Sequence, residues 1–367
     1  MEKIRILFIN QTTNMVGGGS QSLRNLIVNL DEKIDMIVPN DLFVRNKEIK
    51  DFYGTNLNKI YRCNLPFCES ISACEKKTDW YNRYLVEENF RKDKKEIFRI
   101  IKENKYDVVH INSYVLYPLI NRKYPMYIHV REICSANILI KLFIRLQFRR
   151  SHGIIYIDYA TKEALGVKKN SIVLNNPFDQ RKVLEVNLED VRRKYSIKEK
   201  ETIFAYIAAS SDPSKGFSFI VDAFVKANCK DAKLLIVCAE KILRYTKHSN
   251  IIYVAKTSQM EEIYAISDYV LRGDNVFAVG RTIYEGLYSG CSVIIPGDEK
   301  VDMERMFECD KFGEHIFFYK LRDMESLIKL IQERNGRKKS AVLGLSNVDE
   351  YVEQFKKFVF GVKDRRK

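Results

Sequence analysis

The residues best suited to chemistry in this 367-residue sequence lie in loops that follow short apolar segments. The first loop is Gly17-Gly18-Gly19-Ser20, between the apolar segment Ile4–Ile9 and an amphipathic stretch. Glycines allow the backbone to approach a ligand closely, and Ser20 is a good N-cap for a helix whose free amides would face an anion or a sugar. The pattern is neither G-x-G-x-x-G nor a P-loop, so a turn that binds no ligand is the alternative.

Two of the five histidines, His110 and His129, stand near the carboxyl ends of apolar segments. An imidazole can donate a hydrogen bond to a sugar hydroxyl or offset negative charge that develops at a phosphate. Arg131 and Glu132 come directly after the second histidine segment and make that loop polar. A structural role, with the ring satisfied inside the protein, is the alternative for either histidine.

A third loop, Asp212-Pro213-Ser214-Lys215-Gly216-Phe217, follows the first strand pattern of the second half. A lysine before a glycine at the start of a helix can neutralise a diphosphate. The alternative is a solvated loop lysine without a ligand.

The most informative segment runs from Ser267 to Gly290. A short strand pattern ends in Arg272-Gly273-Asp274-Asn275, and a helix is predicted from about Thr282. The free amides of that helix would hold a phosphate, and Glu285, one turn further on, could accept hydrogen bonds from ribose hydroxyls. Because this face of the helix is expected to be buried, a ligand or an arginine should satisfy the carboxylate.

The elements that carry these loops are strands and helices in alternation, which predicts parallel sheets covered on both faces. In the first half, strands are predicted over Ile4–Ile9, Ile34–Val38, Val108–Ile111, Met126–Val130, Ile154–Ile157 and Ser171–Leu174, with helices over Ser20–Leu30 and Val86–Glu103. In the second half, strands are predicted over Thr202–Ala208, Lys233–Val237, Ile251–Val254, Tyr269–Leu271 and Ser292–Ile295, with helices over Phe217–Ala227, Met260–Ser267 and Thr282–Ser289. Asn176-Pro177 is the predicted hinge, because proline excludes the helical conformation at the residue before it. Ligands of such sheets bind beyond the carboxyl ends of the strands.

Composition limits the class of protein. The net charge of +14 favours an anionic partner, but no nucleic-acid-binding module is recognisable, so nucleic acid is not an expected partner. The eight cysteines form no C-x-x-C pair and are expected to be reduced thiols. The N-terminus resembles a strand rather than a signal peptide, and no apolar run approaches the roughly 20 residues of a membrane span. We therefore expect a cytoplasmic protein.

Taken together, the loops resemble those of family 4 glycosyltransferases, which have the GT-B fold and retain anomeric configuration. The resemblance runs over nearly the whole chain, because the motifs occur in the order and spacing of that family. These motifs are Gly17–Ser20, Asp107–His110, His129, Asn176-Pro177, Lys215–Phe217, Ser267-Asp268 and Glu285–Gly290.

The resemblance implies an α/β fold of two Rossmann-like domains facing a cleft. Domain bounds of 1–178 for the acceptor-binding domain and 179–345 for the nucleotide-sugar-binding domain follow, with a helix in 346–367 that returns to the first domain. His129, Lys215 and Glu285 would be catalytic, without a metal or cofactor, which agrees with the absence of an Asp-x-Asp motif. The implied donor-binding residues are Gly18, Gly19, Ser210, Lys215, Arg272, Asp274, Gly280, Arg281, Thr282 and Glu285, and the implied acceptor-binding residues are Gly17, His110, Arg131 and Glu132.

Two positions depart from the family pattern. The first of the family's two glutamates falls at Phe277, and an arginine of the family falls at Ser210. Arg272 or Arg281 is the hypothetical replacement for the lost positive charge, and Asp274 for the lost carboxylate.

The implied function is sugar transfer from a UDP- or GDP-sugar to a glycan or lipid-linked acceptor, in synthesis of a bacterial capsule or O-antigen. The apolar and basic stretch Asn137–Arg150 suits an anionic membrane surface, with an ordinary packed helix as the alternative. A weakly catalytic GT-B partner subunit or glycan-binding module is the alternative function. An epimerase or a phosphorylase on the same fold also remains open.

Overall fold

The computed structural model describes residues 4–15, 18–66, 77–134, 136–167, 170–208, 215–238, 248–255, 257, 259–275, 277, 280–336 and 348–361, with the backbone alone over 77–87. The chain divides into two units, Met1–Pro177 with Val348–Lys367, and Phe178–Asn347. The six cysteines among these residues are free thiols.

The first unit is built on a sheet of seven parallel strands in the order β3-β2-β1-β4-β5-β6-β7. The strands are β1 (Arg5–Ile9), β2 (Lys33–Pro39), β3 (Leu57–Cys63), β4 (Val108–Ile111), β5 (Met126–Val130), β6 (Gly153–Tyr156) and β7 (Ser171–Val173). Its helices are α1 (Gly18–Val28), α2 (Asn46–Tyr53), α3 (Lys77–Asn104), α4 (Ile138–Phe148), α5 (Tyr159–Leu165) and the C-terminal α14 (Val348–Phe360), with a 3₁₀ helix over Tyr114–Leu119.

The second unit has six parallel strands in the order β10-β9-β8-β11-β12-β13. They are β8 (Thr202–Ile207), β9 (Ala232–Val237), β10 (Ile251–Val254), β11 (Tyr269–Leu271), β12 (Ser292–Pro296) and β13 (Ile316–Tyr319). The helices are α6 (Arg181–Leu184), α7 (Leu188–Lys194), α8 (Phe217–Ala227), α9 (Met260–Ile266), α10 (Arg281–Tyr288), α11 (Glu299–Asp302), α12 (Cys309–Phe312) and α13 (Met324–Arg334), with 3₁₀ turns over Met303–Arg305 and Gly313–His315.

Each sheet is buried on both faces. Along β1, Leu7 packs into one core cluster with α3 and α4, whereas Phe8 packs into the opposite cluster with α1 and α14. This alternation follows from the two-residue period of a strand, and burial on both faces requires the continuous apolar sequence that predicted it. Tyr351 and Phe355 anchor α14 in the core of the first unit. The predicted fold class, two Rossmann-like α/β domains with a C-terminal helix returning to the first, is confirmed.

The order of strands reverses next to β1 in the first sheet and next to β8 in the second. Helices leave opposite faces of the sheet at such a point, so a crevice opens beyond the carboxyl ends of β1 and β4, and another beyond those of β8 and β11. The loops singled out in the sequence follow these strands.

Two edge strands, β3 and β13, extend the sheets beyond the strands predicted from the sequence. In β3, Asn58 and Lys59 are exposed and Arg62 is half-buried. An edge strand tolerates this mixture because one of its sides faces solvent, so its apolar pattern is weak.

Candidate active site

In the first unit, polar side chains gather beyond the carboxyl ends of β1, β4 and β5. Arg131 is buried and donates from Nε to Asn112 Oδ1 at 2.6 Å, and from Nη1 to Asn176 Oδ1. Its Nη2 lies 3.2 Å from His129 Nδ1, and Asn112 in turn donates to Asn10 Oδ1 at 2.9 Å. We call Asn10, Asn112, His129, Arg131 and Asn176 the N-terminal polar cluster. It holds one guanidinium among neutral acceptors at the reversal of strand order.

His110 lies next to His129 of this cluster, with ring centroids 5.4 Å apart. Both are fully buried, and burial together with the Arg131 guanidinium lowers the pKa of each well below its ordinary value. His129 Nδ1 accepts from Arg131, so the ring proton belongs on Nε2. His110 packs against Phe8 and Phe355. Both rings are therefore neutral, and neither exposes an atom to a ligand in this conformation.

The glycine-rich loop meets the same cluster. Helix α1 begins at Gly18, and a Cβ at Gly19 would lie 3.7 Å from Arg131 Cδ. The prediction that Ser20 is the N-cap is wrong, because the helix starts two residues earlier and Ser20 lies buried in its first turn. The resemblance places Gly18 and Gly19 at the donor. Both lie in the first unit, and Gly19 stands beside Arg131. Gly17 lies outside the described residues.

Glu132 is half-buried next to the cluster and accepts a hydrogen bond of 3.3 Å from Ser113 Oγ. The same hydroxyl oxygen accepts from the Val115 amide and caps the 3₁₀ helix that follows β4. Glu132 is thereby fixed between the ends of β4 and β5.

In the second unit, the loops after β8 and β11 touch through their backbones. Gly216 has a φ of +64°, and a Cβ there would lie 1.8 Å from the carbonyl oxygen of Gly273. A Cβ at Gly273 would in turn lie 2.7 Å from the carbonyl oxygen of Gly216. Both positions require glycine, because contacts this close are forbidden to any side chain.

This contact brings together three charged side chains, Lys215, Arg272 and Asp274, which we call the C-terminal ionic cluster. Arg272 donates from Nε and Nη2 to the two carboxylate oxygens of Asp274, at 2.7 and 2.9 Å. Lys215 Nζ donates to the same carboxylate at 3.2 Å. Arg272 and Asp274 are buried, whereas 46% of the Lys215 side chain is exposed. The fork of the guanidinium is thus fixed, and the ammonium is accessible.

Arg272 also reaches the start of α10. It donates from Nη1 to Thr282 Oγ1 at 3.0 Å, and a Cβ at Gly280 would lie 3.0 Å from the same nitrogen. Gly280 is the N-cap of α10 and offers no capping side chain, so the positive end of the helix dipole lies beside Arg272. Gly280, Thr282 and Arg272 therefore lie together.

Glu285 is buried one turn into α10 and has two partners from the protein. Arg281 donates from Nε to one carboxylate oxygen, and the Tyr264 hydroxyl donates to the other at 2.7 Å. Burial and the neighbouring carboxylate raise the pKa of Tyr264 well above its ordinary value, which keeps the hydroxyl protonated as a donor. An arginine satisfies Glu285, as its expected burial required. No local sequence pattern indicates Tyr264, 21 residues away along the chain.

Neither a protein-family model nor a curated protein matches this sequence. Solved structures match over the full chain at low identity. HepE from Anabaena in complex with UDP covers 99% of this chain and 98% of its own, with 14% identity and a TM-score of 0.67. HepE is also solved with UDP and glucose, and with UDP-glucose.

Sucrose-phosphate synthase from Thermosynechococcus elongatus covers 99% of this chain and 98% of its own, at 12% identity and a TM-score of 0.65. The lipopolysaccharide outer core galactosyltransferase WaaB covers 98% of this chain and 100% of its own, at 13% identity and a TM-score of 0.66. This chain has the GT-B fold. At such identities the likeness establishes the fold and leaves the activity to be argued from the site.

Of the two positions that depart from the pattern of the resemblance, Phe277 lies among the described residues. Phe277 is half-buried, with its ring centroid 4.9 Å from the Arg305 guanidinium carbon and 6.5 Å from the Phe318 ring. An aromatic ring stacked on an arginine thus occupies the position at which the family has its first glutamate. Ser210 lies outside the described residues.

Each unit has a cavity beyond the carboxyl ends of its strands. A cavity of about 230 Å³ adjoins the ionic cluster, and it adds Arg322, which the sequence analysis missed because nothing in its local pattern indicates a site. A larger cavity, of about 610 Å³, lies beyond β1, β2 and β3 in the first unit. The smaller cavity is lined by Gly216, Ser218, Phe219, Gly273, Asp274, Asn275, Tyr319 and Arg322.

Among the described residues, no group of three histidine, cysteine or carboxylate side chains is arranged to hold a metal ion. A search of the same residues finds no helix with the length and apolarity needed to cross a membrane.

Proposed function

We propose that this chain is a glycosyltransferase that moves a sugar from a nucleoside diphosphate sugar to a glycan or lipid-linked acceptor. The observation that carries the proposal is the C-terminal ionic cluster. Lys215 and Arg272 lie beyond the carboxyl ends of β8 and β11, at the reversal of strand order, where two glycines bring the backbones together. A diphosphate is the natural ligand of such a site, since cations and helix N-termini converge there.

Lys215 is the cation best placed to bind the diphosphate. Its side chain is 46% exposed, whereas that of Asp274 is 4% exposed. The ammonium can turn from Asp274 to a phosphate oxygen while Asp274 stays paired with Arg272. The N-termini of α8 and α10 add the positive ends of two helix dipoles, and their N-caps, Gly216 and Gly280, carry no capping side chain.

The remaining roles follow from the contacts of each group. Glu285 would accept from the ribose hydroxyls, since Arg281 and Tyr264 hold its carboxylate in one orientation. Arg131 and Glu132 would face the acceptor. A hydrogen bond from His129 to the reacting sugar would come from Nε2–H, because Nδ1 accepts from Arg131, and it requires a conformation that exposes this buried ring.

The proposed transfer retains configuration and uses no metal. The bond from the anomeric carbon to the phosphate oxygen breaks, and the diphosphate leaves with the electron pair. The acceptor hydroxyl oxygen forms the new bond on the same face, and its proton passes to the departing phosphate oxygen. Lys215 and the helix amides stabilise the charge that develops on the diphosphate, which is electrostatic catalysis.

A uridine nucleotide is the favoured donor, because HepE, with the same fold, is solved with UDP and with UDP-glucose. The likeness to WaaB, a lipopolysaccharide outer core galactosyltransferase, supports a role in bacterial surface polysaccharide synthesis. The proposed pathway is the synthesis of a capsule or an O-antigen.

The test is a thermal-shift screen of the full chain against UDP, GDP, CMP and ATP, followed by UDP release from UDP-glucose and UDP-galactose with EDTA present. We expect a selective shift with UDP that is lost in Glu285→Gln, and turnover that EDTA leaves unchanged. The matched control is Glu314→Gln, a substitution in the 3₁₀ turn Gly313–His315 of the same unit. The absence of a shift with any nucleotide would contradict the proposal.

A glycan-binding or partner-subunit function is the second candidate, and Phe277 favours it. A phenyl ring cannot accept hydrogen bonds from donor sugar hydroxyls as a carboxylate does. The two functions differ in one observable, since a transferase hydrolyses its donor slowly without an acceptor. Binding of UDP without release of UDP from any donor would favour the second candidate.

We also propose that the protein binds the cytoplasmic face of a membrane through α4. Only Ile144 and Phe148 of this helix are buried, whereas Ile138 and Leu139 are 80% and 76% exposed. Leu142, Phe143 and Leu146 continue the exposed apolar surface. The exposed Arg149 and Arg150 follow the helix, so a surface of anionic lipid matches both its apolar and its basic character.

Flotation with vesicles of phosphatidylglycerol and phosphatidylcholine tests this placement. We expect binding that needs the anionic lipid, weakens with salt and is lost in the double variant Leu142→Ser/Phe143→Ser. Leu188→Ser, a substitution of a residue in the second unit that is 45% exposed, is the control. Equal amounts of wild type and double variant floating with the vesicles would contradict membrane binding through α4.

A further inference from the structure

The cavity of about 610 Å³ in the first unit lies outside the residues assigned above. It is formed by the segments that follow β1, β2 and β3, and its size is in the range of small-ligand sites. Its lining residues are Gln11, Thr12, Thr13, Asn14, Pro39, Asn40, Asp41, Val44, Asn64 and Leu65.

Asp41 is the charged residue among the described residues of this lining. Its carboxylate accepts from Thr13 Oγ1 at 2.6 Å and from the Phe43 amide at 2.9 Å. These two hydrogen bonds, together with the nearby Arg62 guanidinium, lower the pKa of Asp41. The carboxylate is therefore ionised at neutral pH, and it is held in place.

The other polar groups of the lining are amides and hydroxyls. Gln11 Oε1 is buried and has no hydrogen-bond partner among the described residues, so it lacks a donor. Asn64 is fixed by donating to Asp93 Oδ2 from its backbone amide and from Nδ2, each at 2.7 Å. Asn40 is exposed. A ligand with several hydroxyl groups satisfies such acceptors and donors together.

We propose that this cavity binds a sugar unit of the acceptor that is neutral or carries an amino group, and that Asp41 excludes acidic sugars. Hydroxyls and ammonium groups donate to a carboxylate, whereas a second carboxylate is repelled by it. This preference for neutral or amino sugars is the opposite of what the net charge of +14 would favour, since a positive protein attracts anions. This inference rests on the proposed glycosyltransferase function, because it names the chemical class of the acceptor.

The test measures binding of methyl β-glucoside, glucosamine and methyl β-glucuronide to the full chain by saturation-transfer NMR. We expect the glucuronide to bind at least about tenfold more weakly than the glucoside. Asp41→Asn should bring the two affinities to within about twofold. Asn40→Lys adds a cation but keeps Asp41 and its two hydrogen bonds. It should also reduce the preference for the glucoside over the glucuronide.

Asp31→Asn is the matched control, since its side chain is 97% exposed in the same unit. UDP binding, measured on each variant, separates this inference from the proposed function. UDP binding without discrimination between glucoside and glucuronide would overturn the inference and leave the function intact. A preference for the glucoside that persists in both Asp41→Asn and Asn40→Lys would overturn the assignment to this cavity.

Discussion

The two units place polar residues at the same point of two similar sheets, but they balance charge in different ways. In the N-terminal polar cluster, Arg131 bonds to two asparagine oxygens and an imidazole nitrogen. In the C-terminal ionic cluster, Arg272 and Lys215 share the carboxylate of Asp274. The first cluster surrounds a cation with dipoles, and the second pairs cations with an anion.

The difference bears on what each unit can bind. Neutral dipoles around a buried cation are fixed by hydrogen bonds that no ligand has to replace. An ion pair with one exposed member can exchange its partner, and Lys215 can leave Asp274 for a phosphate without exposing a buried charge. The second unit is therefore the better site for a diphosphate, and the first is suited to an uncharged ligand.

The largest expected effect is on the ionic cluster itself. Asp274→Ala leaves the Arg272 guanidinium buried without its counterion and should destabilise the protein by about 3–5 kcal/mol. Urea unfolding of the variant measures this loss. Arg272→Met/Asp274→Leu, which removes both charges, should recover most of the stability. A loss in the double variant as large as that in Asp274→Ala would contradict the pairing.

The next largest loss of stability is expected at the backbone contact between Gly216 and Gly273, which brings the C-terminal ionic cluster together. Gly216→Ala adds a Cβ that clashes with the Gly273 carbonyl, at a positive φ, and should cost about 3 kcal/mol. Gly313→Ala is the control, because no atom lies within 4 Å of its added Cβ. Thermal unfolding of both variants measures the difference, and equal melting temperatures would contradict the contact.

Removal of the cation from the other cluster should have a smaller effect. Arg131→Met leaves acceptors on Asn112 and Asn176 without this donor, and we expect a loss of about 2 kcal/mol. The loss should be below that of Asp274→Ala, because the groups left behind are neutral. Urea unfolding under the same conditions compares the stability of the two variants. A larger loss of stability in Arg131→Met than in Asp274→Ala would contradict the difference drawn between the clusters.

The buried histidines predict a dependence of stability on pH. Folding holds His110 and His129 neutral, whereas the unfolded chain protonates them below about pH 6.5. Because the unfolded state then binds more protons, stability is full above that pH and falls by about 1.4 kcal/mol per pH unit for each histidine as the pH drops.

Urea unfolding at about pH 7, 6 and 5 measures this slope. His110→Phe should roughly halve it, since the new ring fits the aromatic surroundings of Phe8 and Phe355. An unchanged slope in the variant would contradict the assignment to these rings.

Local sequence patterns predicted the buried strands and a partner for Glu285, because both depend on residues that are close together along the chain. The buried strands have continuous apolar sequences, and Glu285 on an apolar helix face was expected to need a ligand or an arginine. Arg281, one turn before it, is such a partner. The contacts that complete the sites join distant segments, such as Lys215 with Asp274 and Thr13 with Asp41. Those pairs depend on which strands lie side by side, which a single sequence does not reveal. The cavity around Asp41 went unpredicted for this reason.

Calorimetric titration of the full chain with UDP and with uridine tests most directly whether the C-terminal ionic cluster binds the diphosphate. Lys215→Ala should weaken UDP binding by about 10- to 100-fold and leave uridine binding unchanged, because in the proposed complex the ammonium would contact only the phosphates. Lys194→Ala, a substitution of another exposed lysine of the same unit, should change neither. UDP binding that is equally strong in wild type and Lys215→Ala would contradict the account.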